Sequence, residues 1–265
     1  MPFDIATLNS DCLCLTLDRP SLERALDTAT GDAGFGAALA LSKPTLLANQ
    51  PIFLSRTHAD AMTRIIAAIE SVVALPSYAE RVLEGADVAA KIATGLAGVF
   101  MGYDFHLGDT GPKLIEINTN AGGGLIAATL AEAHRACCGQ LAGIFPPAGT
   151  LKAAEAAFLE SFRVEWQRFG SEHPLHTIGI VDVDPAHQYL QPEFVLFEKL
   201  FARAGIATVT VDPRELEYRD GGLFAAGRRI DLVYNRLTDF SLTSPEAAAL
   251  RAAYLARHVR SEEVV

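Results

Sequence analysis

The chain reads as an α/β protein in two lobes, α+β in the first half and a small parallel-sheet unit in the second. Three observations predict this. A strand–turn–strand pattern over Phe100–Asn118 stands among helical segments and runs into the glycine stretch Ala121-Gly-Gly-Gly124. Strand and helix patterns then alternate from Thr177 to Val211, and a short crossover between them implies a right-handed βαβ unit. Between the halves, Phe145-Pro-Pro-Ala-Gly149 is the best internal boundary, giving lobes 1–148 and 149–265.

The elements follow in order. Residues 1–50 are mixed: Phe3–Leu15 has no clean period, Gly31–Gly36 is a loop, and Ala37–Leu41 is a short helix ended before Pro44. A short strand is expected at Ile52–Leu54. Ser55–Val73 is a strong helix, because Met62, Ile65, Ile66, Ile69, Val72 and Val73 recur at helical spacing. Ser55 or Thr57 caps it and Pro76 stops it. Further helices are expected over Tyr78–Leu83 and Ala89–Leu96. Phe100–Leu107 and Lys113–Asn118 form a hairpin about the turn Gly108–Gly111. A helix then covers Leu125–Arg135.

In the second half, Leu151–Phe169 is a helix with Ala154, Phe158, Phe162, Val164 or Trp166, and Phe169 on its apolar face. Gly170 is its stop. Trp166 and these phenylalanines read as core. Thr177–Val183 is a buried strand, Pro192–Ala204 a helix with Phe194, Phe197, Leu200 and Phe201 inward, and Ile206–Val211 a strand. Asp220-Gly-Gly222 marks a hairpin turn. Ile230–Tyr234 is the next strand and Ser244–His258 the final helix.

Composition narrows the function classes. With 265 residues, half of them apolar, the chain can bury a proper core. There are 32 acidic and 22 basic residues, a formal charge of −10. No basic run or basic–aromatic stripe appears, which argues against a nucleic-acid partner. No stretch reaches the roughly 18 apolar residues of a membrane span, and Met1-Pro-Phe-Asp4 does not resemble a secretory signal. The four cysteines, Cys12, Cys14, Cys137 and Cys138, have neither disulfide-framework nor zinc-site spacing. A reduced, cytoplasmic protein is the expectation.

The chemistry concentrates on the hairpin. Asp104 lies on its first strand, Glu116 and Asn118 on its second. Strand side chains alternate faces, so Glu116 and Asn118 point the same way and Ile115 and Ile117 the other. Three hard oxygen ligands beside a glycine loop suit Mg²⁺ and a polyphosphate. The plainer alternative makes them ordinary solvent-facing strand residues. A run as glycine-rich as Gly122–Gly124 costs chain entropy without an obvious structural return, and it leaves backbone N–H groups open to a ligand at a helix N-terminus. Weaker candidates are His134 with Cys137 and Cys138, and Asp182-Val-Asp184 after a strand, which also reads as a plain turn. There is no Walker loop, dinucleotide fingerprint or Gly-x-Ser-x-Gly elbow.

Asp104, Lys113-Leu-Ile-Glu116-Ile-Asn118-Thr-Asn120 and the glycines together resemble the metal-binding hairpin of the ATP-grasp superfamily. The likeness is to its circularly permuted, glutathionylspermidine synthase-like proteins. Pro192-Glu-Phe194, Phe201, Gly205-Ile206 and Asp231-Leu-Val-Tyr-Asn-Arg236 resemble the pre-ATP-grasp domain of that group. The resemblance implies an ATP-grasp hairpin lobe followed by a pre-ATP-grasp-like domain. It implies Mg²⁺ on Asp104, Glu116 and Asn118, and a reaction joining a carboxylate to an amine through an acyl phosphate made with ATP. Asn120 and Gly122, Gly123 and Gly124 would border the carboxylate or phosphates. Arg236 would hold a substrate carboxylate, or else pair with a nearby surface acid. The family's phosphate-contacting lysines have no counterpart after Arg236, and Gly102 stands where some relatives carry an arginine. The chain therefore reads as C-terminally truncated: either a subunit whose missing lobe a partner chain or oligomer supplies, or a catalytically incomplete binding or regulatory protein.

Overall fold

The computed structural model describes residues 19–48, 51–92, 98–133, 149–170, 173–257 and 260–262, with Ile5, Asn9 and Gly95. The boundary at 145–148 and Cys12, Cys14, His134, Cys137 and Cys138 lie outside them.

Helix α1 spans Arg19–Thr30 and α2 spans Phe35–Ser42. Helix α1 was not foreseen. It buries Leu22 and Leu26 and ends at Gly31, which adopts φ 69°. Asp27 then accepts the amides of Gly34 at 3.0 Å and Gly36 at 2.8 Å, fixing the α1–α2 corner. A Cβ on Gly36 would lie 2.5 Å from the Glu23 Cα, so the two helices can approach this closely only with glycine there.

Helix α3 runs over Arg56–Val73, capped by Ser55, whose hydroxyl accepts the His58 amide at 3.1 Å. Helix α4 follows over Pro76–Leu83. Neither buries a residue fully. The strand expected at Ile52–Leu54 is irregular chain, and Ala89–Lys91 is a turn where a helix was expected.

Strands β1 (Gly102–Gly108) and β2 (Gly111–Asn118) form a two-stranded antiparallel sheet. Helix α5 covers Gly124–Ala133 and α6 covers Thr150–Arg168. Strand β3 (Thr177–Val181), helix α7 (Gln191–Arg203) and strand β4 (Ala207–Val211) make the expected parallel unit. A meander of β5 (Glu217–Arg219), β6 (Gly222–Ala225) and β7 (Arg228–Ile230) precedes β8 (Leu232–Asn235). The single strand expected at Ile230–Tyr234 thus splits. Ile230 ends the meander, while Asp231 turns the chain and accepts the amides of His176 and Thr177. Helix α8 is Ala248–Leu255, shorter than expected, and β9 (Arg260–Glu262) was not foreseen. The main sheet has the order β4-β3-β8-β9, parallel throughout.

Alternation along β3 and β8 splits the core in two. Ile178, Ile180, Leu232 and Tyr234 face α1, α5, α6 and α7, packing with Leu26, Leu125, Phe162, Phe197 and Phe201. Val181 and Val233 face the meander and α8, packing with Leu223, Ile230 and Leu250. Phe162 is fully buried in the first layer. It meets Phe201 edge-on at 4.9 Å, Tyr234 at 5.3 Å and Phe197 at 5.8 Å. Leu125 and Ile126, from the first half, sit in this same layer.

Candidate active site

The hairpin register sets Asp104 opposite Glu116 and Gly102 opposite Asn118. The pairing then slips, with Phe105 opposite Leu114, so Ile115 is an extra, bulged residue. The three expected metal ligands therefore share one face, and the Asn118 Nδ2 donates to Asp104 Oδ2 at 3.3 Å. Asp104 and Glu116 are exposed and Asn118 is half-buried. Ile115 is 65% exposed and Ile117 38%. On the side facing α3, Tyr103 donates its hydroxyl to Glu70, and burial together with that carboxylate pushes the phenol up to about 12. This bond ties the hairpin to α3.

The chain after Asn118 is held from the second half. Arg236 leaves the end of β8 and donates Nη1 to the carbonyls of Asn120 and, at 2.8 Å, Ala121. Asn120 returns a bond, Nδ2 to the Leu237 carbonyl at 3.3 Å. The expected pair Asn120 and Arg236 is thus brought together. Ala121 adjoins Asn118 on the hairpin, since a Cβ on Gly102 would meet its Cβ at 3.1 Å and that of Asn118 at 3.3 Å.

At Gly122 the two halves are in close contact. A Cβ there would lie 2.6 Å from Arg236 Nη2, 2.8 Å from Leu190 Cδ1 and 3.2 Å from Glu193 Oε2. Gly123, at φ 90°, turns the chain into α5. The Gly123 amide, one of those expected to be open to phosphate, is engaged. Glu193, 1% exposed at the start of α7, accepts Gly123 N–H at 2.5 Å and Leu125 N–H at 3.0 Å. Its carboxylate occupies the positive end of α5. Burial raises its pKa against the opposing pull of these amides and of Arg236.

Glu193 was missed by sequence reasoning, though a signal was present. It shares a helical face with Phe197, Leu200 and Phe201, so a carboxylate there had to be buried and to find donors. Asp182, at the end of β3, is half-buried, and its pKa is pushed up to about 6. Burial is the main cause and Asp212 adds to it, while the Val183 amide and Arg236 oppose it. Arg236 Nε and Asn235 Nδ2 are buried without a hydrogen-bond partner.

Among the described residues no three His, Cys, Asp or Glu side chains gather as a metal group. The hairpin offers two carboxylates and one carboxamide. That set fits Mg²⁺, which takes one or two protein carboxylates and completes its shell with water and phosphate oxygens. No helix among the described residues is long and apolar enough to cross a membrane.

No protein-family model and no curated protein sequence matches the chain. Among solved structures it is similar to an apo glutathione synthetase-like effector from Globodera pallida, at 16% identity and a TM-score of 0.53. The match covers 94% of this chain and 63% of the effector. The two share a fold, and this chain spans less than two thirds of the effector's length.

Proposed function

We propose that the chain is an ATP-grasp-type ligase module that joins a carboxylate to an amine using Mg²⁺ and ATP. The observation that carries this reading is the convergence of Asp104, Glu116 and Asn118 on one face of a bulged hairpin that leads straight into the loop held by Arg236. The fold shared with a glutathione synthetase-like protein supports it. Asp104 and Glu116 supply anionic oxygens, and Asn118 turns its Nδ2 to Asp104 and so leaves its carbonyl oxygen for the metal. Bound there, Mg²⁺ would offset the charge that develops on the transferred phosphoryl group. Arg236 Nε and Asn235 Nδ2 are buried donors that lack an acceptor, and a substrate carboxylate would provide one. A partner chain or second copy that completes the nucleotide grip belongs to the same proposal, since β1 and β2 pair only with each other among the described residues.

Titration calorimetry with Mg·ATP tests the reading. Saturable binding is expected in wild type and its loss in Glu116→Gln, with thermal melting unchanged because Glu116 is exposed. Absence of binding at millimolar nucleotide would overturn the reading for this chain alone.

One observation favours a second reading, a catalytically incomplete binding protein. Glu193 already takes the amides of Gly123 and Leu125 that would otherwise greet a phosphate. Nucleotide binding without release of ADP in the presence of a carboxylate and an amine would select it.

A further inference from the structure

The hairpin is a sheet of two strands, so β1 and β2 each keep an outer edge that meets no other strand among the described residues. Such an edge carries a row of backbone N–H and C=O groups open to pairing with another chain. The two edges differ. On β2, Pro112 has no N–H to donate, Lys113 sets a charge on the edge, and Ile115 bulges the chain. Each of these blunts an edge against pairing. Strand β1, Gly102–Gly108, has no proline, no lysine or arginine and no extra residue.

The β1 sequence, Gly-Tyr-Asp-Phe-His-Leu-Gly, is also complementary to itself read backwards. Two copies laid antiparallel about a twofold axis at Phe105 set Asp104 opposite His106, Tyr103 opposite Leu107 and Gly102 opposite Gly108. Asp104 and His106 share one face of the strand, and Tyr103, Phe105 and Leu107 share the other. The axis therefore makes two Asp–His pairs on the polar face and two Tyr–Leu contacts around Phe105 on the apolar one. Unlike-charge and aromatic–aliphatic pairs directly opposite each other are those that stabilise a sheet. Sliding the copies by two residues either way sets Asp104 against Asp104 or His106 against His106, so charge selects the register. Asp104 and His106 are exposed, and Leu107 is 39% exposed. Tyr103 is already held by its bond to Glu70.

We propose that β1 is a docking edge for a second copy of this chain, joined antiparallel about Phe105 into a four-stranded sheet of order β2-β1-β1-β2, with Asp104 of each copy hydrogen-bonded to His106 of the other. This names the partner that the proposed function leaves open, but the pairing stands on the strand itself. Its test contains neither Mg²⁺ nor ATP, so either reading can fail without the other. A contact one strand wide falls below the roughly 1,000 Å² of a permanent interface, and the dimer is accordingly weak, with a dissociation constant on the order of 10–100 μM.

The experiment is sedimentation velocity of the full chain from about 5 to 500 μM, a range that brackets that constant. A monomer–dimer transition is expected, and hydrogen exchange in β1 should slow as the dimer forms. His106→Asp places like charges opposite each other in both pairs and should weaken the dimer by at least about tenfold. Adding Asp104→His to it exchanges the two partners and should restore the dimer. Both positions are exposed, so the melting curves of these variants should match wild type. A monomer throughout the range would overturn the proposal. So would a dimer that His106→Asp leaves unchanged, a loss that the exchanged pair does not restore, or a dimer whose formation leaves β1 exchange untouched.

Discussion

Replacing Glu193 by alanine should destabilise the protein by stranding the backbone donors that it closes. The side chain is 1% exposed and closes two backbone donors, Gly123 N–H at 2.5 Å and Leu125 N–H at 3.0 Å. Each stranded donor costs about 1–3 kcal/mol. Against this, the variant no longer has to desolvate a carboxylate, the same burial that raises the Glu193 pKa. The net loss should be about 2–4 kcal/mol, a large share of a domain's typical 5–15 kcal/mol. Glu193→Gln keeps the shape and one acceptor oxygen but turns an NH₂ toward the other amide, so it should lose about half as much. Urea unfolding followed by Trp166 fluorescence and by far-ultraviolet dichroism gives both numbers. A loss below about 1 kcal/mol in Glu193→Ala, with an unchanged slope, would refute the reasoning. The amides would then have found water or another acceptor at no cost.

Two further outcomes follow from the same site. Gly122→Ala places a methyl 2.6 Å from the Arg236 guanidinium and 2.8 Å from Leu190, and should cost about 1–3 kcal/mol in chemical denaturation. A variant as stable as wild type would mean that Arg236 swings away freely. Asp182 has its pKa raised from 3.8 to about 6, so its protonated form is favoured in the folded state. The stability it contributes is complete below the unfolded value and is lost as pH rises through 6. Wild type should therefore lose stability relative to Asp182→Asn as pH rises from about 4 to 6, and a wild type that gains on the variant over that window would contradict the assignment.

Much of the fold was legible because strong local signals agreed with packing. Ser55 followed by a stripe from Met62 to Val73 gave α3 to within a residue. The alternation of strand and helix from Thr177 to Val211 gave the parallel unit. Helix α1 was missed because its buried stripe is little more than Leu22 and Leu26. The split at Asp231 was missed because it depends on a side-chain acceptor meeting amides 54 and 55 residues away.

The candidate site divides similarly. That Glu116 and Asn118 share a face followed from alternation alone, but Asp104 joins them only because the bulge at Ile115 shifts the register set by the turn. What occupies the glycine loop did not follow. The partners of Gly123 and Leu125 lie about 70 residues downstream on a helix that reads as apolar, and only the folded chain brings them together.

The bulged hairpin carries one further consequence, for hydrogen exchange. Its two strands bond only to each other among the described residues, and α3 beside it has no buried residue. Strands β3 and β8 lie inside a four-stranded sheet with both faces covered. Amides of β1 and β2 should exchange through local opening, many times faster than those of β3 and β8, which should wait for global unfolding. Asp104, Glu116 and Asn118 would then sit on a weakly protected part of the described residues, and a ligand bound there would be seen as slowed exchange at Asp104 and Glu116.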